Sequence, residues 1–259
     1  PVQHGAHILK KLLEDPAHRE HRRARVLQAV AYPHLAQLAA LARLTEVSPG
    51  REEIRLAIFE DLAPASLAPL LAYAQHHAPD LRITAKVMGF EALAEALHRG
   101  QVDLALTWDL GLETDIARQI LARIPPHALL APTHPLAQRP QLSLYDIADH
   151  PLILSDQGLS IGHMRALFAA AGLTPKIGHR TASLELMRSY AANGLGLGLS
   201  YTAPATSHSH DGKPLLTRPL SDAGTEPIIL AHLAQNPLSQ AAQQLAALIP
   251  AALGFATMA

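Results

Sequence analysis

The sequence has no cysteine in its 259 residues, which excludes disulfides, thiol catalysis and Cys-ligated metal centres and fits a cytoplasmic protein. No apolar run approaches the roughly 20 residues that a helix needs to cross a bilayer. Charge is scarce and balanced: 17% of residues are charged and the formal net charge is −1. Nothing global therefore draws the chain to nucleic acid or to an anionic membrane. The start, Pro1-Val-Gln-His-Gly5, lacks the basic-then-apolar layout of a secretion signal, and it has no Met, as a fragment or a processed chain would read. What remains is ordinary: 49% hydrophobic residues, enough for one large or two modest domains.

Residues 1–50 differ from the rest. Ile8, Leu9, Leu12 and Leu13 share a helical face that stops near Asp15-Pro16, and a basic run over 17–25 reads as a solvated helix face. Beyond it Leu27, Val30, Leu35, Leu38, Leu41 and Leu44 form a stripe too apolar for a free helix, so pairing with a second helix is expected. Pro33 kinks that helix or marks its start, and Ser48-Pro-Gly-Arg51 reads as a linker.

From residue 52 onward strands and helices alternate, which predicts an α/β domain with a largely parallel sheet. Ile54, Leu56 and Ile58 alternate at period 2, Pro64 suits a helix's first turn, and Leu67, Leu70, Leu71 and Ala74 follow at helical spacing. The loop between, Phe59-Glu-Asp-Leu62, lies at the carboxyl end of a strand and opens onto a helix N-terminus, where ligands bind in open α/β sheets. Asp61 is either a cap of that helix or a residue facing the ligand. Further strands are expected over 81–87, 102–107, 116–124, 128–131, 151–154, 175–181, 215–220 and 227–233, and 194–201 reads as a glycine-punctuated turn into a strand. Helices are expected over 91–99, 144–149, 161–171, from Ser183 with Leu184, Met187 and Tyr190 inward, and over 237–248.

Several peptides then occur in a telling order. They are Leu56-Ala-Ile-Phe-Glu-Asp-Leu-Ala-Pro64, His98-Arg-Gly-Gln-Val-Asp-Leu-Ala-Leu106, Thr133-His-Pro-Leu-Ala137 with Leu142-Ser-Leu-Tyr-Asp-Ile-Ala148, Ala171-Gly-Leu-Thr-Pro175, and Ala192-Asn-Gly-Leu-Gly-Leu-Gly-Leu199. Together they resemble the effector-binding (regulatory) domain of LysR-type transcriptional regulators. The resemblance implies a type-2 periplasmic-binding-protein-like α/β fold, two Rossmann-like subdomains with an effector cleft between them. It places subdomain I at 52–130 plus 229–259 and subdomain II at 131–228, and it makes 24–46 within the N-terminal segment 1–50 the linker helix of a dimer or tetramer. The family's winged helix-turn-helix is not found in this chain, so DNA contact is expected only through such a domain.

Carried onto this sequence, the cleft residues are Phe59, Glu60, Asp61 and Leu62, then Gly89 and Phe90, then Thr107, Trp108 and Asp109. The second subdomain supplies Ser155, Asp156, Gln157, Thr181, Ser183 and Tyr201. Such a set suits a small polar effector, with aromatic walls and hydroxyls for orientation. Glu60, Asp61, Asp109 and Asp156 would make the mouth acidic and favour a cationic or donor-rich ligand, whereas many members of the family bind carboxylates. Trp108 is expected at the cleft or its edge.

No cofactor or metal is expected. The glycines of Gly194-Leu-Gly-Leu-Gly198 run into a strand without a following Lys-Ser/Thr, so they make no phosphate loop. His208-Ser-His-Asp211 and His76-His77 lack the three or four converging ligands of a metal centre. No nucleophile–base arrangement is visible, so no enzymatic activity is expected. The other reading is a solute-binding protein of the same fold serving a transporter, against which the apolar linker helix speaks. The helical stripe predicts that removing residues 1–48 lowers the oligomeric state without unfolding 52–259. An unchanged mass in light scattering would refute it.

Overall fold

The computed structural model describes residues 53–255, so the N-terminal segment and its expected linker helix lie outside the described residues. Strand β1 (Glu53–Phe59) follows the period-2 pattern, with Ile54, Leu56, Ile58 and Phe59 buried. Arg55 is held by Asp103, which takes its Nε at 3.2 Å, its Nη2 at 3.0 Å and its backbone N–H at 2.9 Å. A bidentate pair that also binds backbone fixes register as well as charge.

Helix α1 (Ala63–His77) buries Ala63, Ser66, Leu70 and Ala74, one i, i+3, i+7, i+11 face. Leu71, expected inward, falls off that face and is 36% exposed, while Leu67 is half-buried. The chain continues through β2 (Arg82–Met88), α2 (Phe90–His98), β3 (Leu104–Trp108) and β4 (Ile116–Ile124). It then passes to β5 (His127–Leu130), α3 (Leu144–Ala148), β6 (Leu152–Ser155), α4 (Ser160–Ala170), β7 (Ile177–Thr181), α5 (Leu184–Ala192), β8 (Leu197–Ser200) and β9 (Leu216–Pro219). It ends with β10 (Glu226–Leu233) and α6 (Gln240–Ala252). Ser143, Ser183 and Ser239 cap α3, α5 and α6 by accepting backbone N–H groups, as serines at those positions do.

The strands form two five-stranded mixed sheets, β2-β1-β3-β10-β4 and β7-β6-β8-β5-β9. The expectation of largely parallel sheets needs correction. β10 runs antiparallel to both β3 and β4, and β5 runs antiparallel to β8 and β9. The reason is topological: a strand that re-enters a sheet from a neighbouring lobe arrives from the opposite end. β5 (His127–Leu130) belongs to the second sheet, and Glu226–Leu233 belongs whole to the first. Among the described residues only two segments cross between the lobes, after Ile124 and after Pro219, and they are bound to each other. Leu220 N–H donates to the Pro126 carbonyl at 3.0 Å, Glu226 pairs with Ile124, and His127 pairs with Pro219.

Each sheet has its own core. β3 is buried along its whole length, as its apolar run requires. In the second lobe Leu129, Ile153, Met187, Ala191, Ala192 and Leu215 pack together, with Leu184 and Tyr190 against them. Burying residues of this kind contributes about 1.5–3 kcal/mol for each large side chain. The glycines entering β8 are set by space. At Gly196, φ is +153° and a Cβ would lie 2.5 Å from the Pro151 carbonyl oxygen. Strain and a backbone clash together should cost at least about 2 kcal/mol. Gly196→Ala is therefore expected to lower the urea midpoint clearly, and a change below about 0.5 kcal/mol would refute the close approach.

Candidate functional site

The first loop is shaped by what α1 lacks. Its N-cap is Leu62, which has no side chain able to cap, and Pro64 in the first turn has no N–H to satisfy. Asp61 is therefore not the cap. Its carboxyl is free to line a cavity with Phe59, Phe90, Trp108 and Leu110, all from the first lobe, and Glu226 at the start of β10. The second lobe contributes Ser155, Ser160, His163, Met164 and Leu184, and then the run from Leu199 to Thr202, which includes Tyr201. The cavity measures about 30 Å³, room for about two water molecules.

The walls are aromatic. Phe59 and Phe90 stack at 4.0 Å, and Trp108 meets Tyr201 across the lobes at 5.6 Å. His163 Nε2 lies 3.3 Å from the Tyr201 hydroxyl and 3.3 Å from Glu226 Oε1, joining α4 to β10. Burial, and then the charge of Glu226, push the Tyr201 hydroxyl well above the ordinary phenol range, so it stays a neutral donor.

Lobe closure rests on the loop between β6 and α4. Ser155 Oγ donates to Gln157 Oε1 at 2.6 Å, which leaves the Gln157 amide N–H groups to face the Glu60 and Asp61 carboxylates and favour their charged forms. Gly158 has φ +50°, which favours glycine, and a Cβ there would lie 2.7 Å from Glu91 Oε1, so the loop runs close against α2. Desolvation still dominates at Asp61. Burial first, then the charge of Glu60, raise it to about 7, against the Gln157 contact and the Arg188 charge. Glu60 is raised by burial and by Glu91, against the same Gln157 contact.

Of the residues expected at the cleft, the structure brings Phe59, Asp61, Phe90, Trp108, Ser155 and Tyr201 together around the cavity. Glu60 and Gln157 meet beside it. The others stand outside the lining for identifiable reasons. Leu62 is buried as the helix N-cap, Gly89 lies under Glu60, and Thr107 is buried within β3. Asp109 is bound by Arg118 Nε at 2.7 Å, so it does not add to an acidic mouth. Asp156 is exposed and donates its N–H to the Thr181 carbonyl at 2.8 Å, Thr181 Oγ1 donates to the Ser183 carbonyl at 3.0 Å, and the Ser183 hydroxyl caps α5. The acidity that reaches the cavity comes from Asp61 and from Glu226, which the sequence reading passed over because it sits in a crossover. Ser160, His163 and Met164 were also missed, although their i, i+3, i+4 spacing just after an expected loop marks one helix face.

A family model described as the LysR substrate binding domain matches residues 48–254. The chain belongs to this family. HTH-type transcriptional regulator CysB of Haemophilus influenzae is 24% identical over 169 residues, which are 63% of this chain and 51% of that protein. The Escherichia coli regulator cbl is 38% identical over 105 residues, 38% of this chain and 32% of its own length. The chain thus spans about half or less of the length of these curated relatives, both of which are named as transcriptional regulators. Among solved structures, HinK, a LysR family transcriptional regulator from Pseudomonas aeruginosa, superposes with TM-score 0.75 at 28% identity, covering 92% of this chain and 80% of that one. The effector binding domain of QuiR in complex with shikimate gives TM-score 0.67 at 20% identity, covering 80% and 97%, a likeness of fold alone. The fold is thus the type-2 periplasmic-binding-protein-like fold of LysR effector-binding domains, and the relatives do not favour the solute-binding alternative. No helix among the described residues is long and apolar enough to cross a membrane.

Asp61 also sets a pH dependence. Folded, it holds its proton to about pH 7, against an ordinary 3.8, so the folded state binds more protons between those values. Its contribution to stability is full below about pH 4, falls as the pH rises to about 7 and is flat above. Asp61→Asn keeps the neutral form at every pH. The variant should match the parent near pH 4 and gain on it up to pH 8, by at most about 4 kcal/mol from the 3.8-to-7 shift. Parallel stability profiles for the two proteins would refute the assignment.

Proposed function

We propose that this chain is the signal-sensing and assembly part of a LysR-type transcription regulator that works in the cytoplasm as a homodimer or homotetramer. Its DNA contact would be made by a helix-turn-helix domain. Regulatory subdomain I, expected at 52–130 plus 229–259, would instead end with β4 (Ile116–Ile124) and resume at β10 (Glu226–Leu233), subdomain II would take β5 to β9 between them, and residues 1–50 would carry the dimer helix. The effector is a small molecule bound by Phe59, Asp61, Phe90, Trp108, Ser155 and Tyr201. One observation carries this reading: the cavity takes its lining from both lobes, which are joined by only two paired crossing segments. A molecule bound there touches both lobes and shifts their relative angle by its differential affinity for the two arrangements. In an oligomer that shift changes the spacing of whatever the N-terminal helices carry.

The test is a thermal-shift screen of the chain against several hundred metabolites, with hits followed by fluorescence of Trp108, the only tryptophan. A ligand at about 100 times its dissociation constant adds roughly 2.7 kcal/mol, readily seen in melting. Saturable hits that also move Trp108 emission are expected. A broad screen without any would refute effector sensing in this cavity.

A further inference from the structure

The cavity has a chemical sign. Its lining contains two carboxyl groups, Asp61 and Glu226, and no lysine or arginine. Four aromatic rings, those of Phe59, Phe90, Trp108 and Tyr201, complete it, and each is buried. Aromatic faces attract cations, the more so where water is excluded. Two features oppose that sign. The first turn of α4 reaches the cavity at Ser160, but a helix N-terminus amounts to about half a positive charge. Arg188, on α5, is near enough to act on Asp61; its Nη1 pairs with the Glu185 carboxylate and its Nη2 donates to the Thr202 carbonyl at 3.3 Å, while its Nε is buried without a hydrogen-bond partner among the described residues.

Resting on the effector-cleft reading above, we propose that the ligand is a small primary ammonium compound, its cationic head placed between the Asp61 and Glu226 carboxylates and against the Trp108 and Tyr201 rings. Size agrees with this. An ammonium head is about as large as a water molecule, and the cavity of about 30 Å³ holds about two waters. The state of Asp61 agrees as well. Beside Glu60 and out of water it keeps its proton to about pH 7, and a bound cation would displace that proton into solvent. The other charged groups facing it are Arg188 from α5 and, across the cavity, His163 and Glu226, which are 3.3 Å apart. Above about pH 7, where Asp61 is ionised, a carboxylate ligand would meet its repulsion.

The experiment titrates the full chain, at fixed ionic strength, with two size-matched pairs: methylamine against acetate, and butylamine against butyrate. Trp108 emission and calorimetry are read at pH 6 and pH 8. The amines are expected to bind saturably and the acids not. Affinity should rise about tenfold from pH 6 to pH 8, the change in ionised fraction of a group at about 7. Asp61→Asn should remove most of that slope and weaken butylamine at pH 8 about tenfold or more, with Glu226→Gln as the second variant. Saturable binding of the acids without the amines would overturn the ligand class and leave the sensor reading intact. Failure of all four probes, while metabolites of another class move Trp108, would do the same. Failure of all four with an empty metabolite screen would remove both.

Discussion

The return of β10 into the first sheet is the constraint on which the rest depends. Its eight residues insert between β3 and β4, with Ile228, Ile229, Leu230, Ala231 and Leu233 buried. Each large side chain contributes about 1.5–3 kcal/mol, so the strand cannot leave without dissolving that core. The 100 or so residues between β4 and β10 must therefore form a lobe of their own, tethered at two neighbouring points. Because Ile124 pairs with Glu226 and His127 with Pro219, the tether is a two-stranded ribbon. A ribbon can twist or bend while both sheets stay intact. It also fixes the cavity, since Glu226 is both the first residue of β10 and part of the lining.

Closure across that cavity is a balance of opposed forces. Aromatic contacts, the His163–Glu226 pair and the Gln157 amide favour it. Against it stands the desolvation of Glu60 and Asp61, brought close to each other and to Glu91. Asp61 answers by keeping its proton, the usual escape of a carboxyl that burial has left without a full partner. A ligand acts on such closure only through its differential affinity for open and closed arrangements of the lobes. Shifting closure from 1:99 to 99:1 takes about 5.5 kcal/mol of differential binding, within reach of a small ligand that relieves buried charge.

How much of this the sequence carried depends on the kind of signal. Period-2 and period-3.6 patterns marked nearly every described strand and helix, because burial of one face writes itself into residue order. The loops after β1 and β3 were legible for the same reason: a strand's end is visible, and in this fold it faces the cleft. Strand direction was not legible, since β10 reads alike whether it runs parallel or antiparallel. Nor was side-chain pairing. Asp109 and Asp61 look equivalent in sequence, yet Arg118 claims one and the missing cap residue frees the other. Glu226 was invisible because its role follows from where β10 re-enters, which is a property of the whole chain.

That division bears on ligand choice. HinK and the QuiR domain share this backbone at TM-scores of 0.75 and 0.67, with only 28% and 20% of residues identical. Sheets, crossings and cleft are thus compatible with wide changes in side chains, so the fold does not specify what would bind between the lobes. Specificity must come from the few groups that the backbone presents to the cavity. Here two carboxyls from one lobe face hydroxyls and an imidazole from the other, inside a ring of aromatic carbon. Exchanging Asp61 alone for a basic residue would set one cation against the Glu226 carboxylate in place of two acids while leaving β1, α1 and the return of β10 untouched. Divergent ligand chemistry on one such backbone would therefore require very little of the fold.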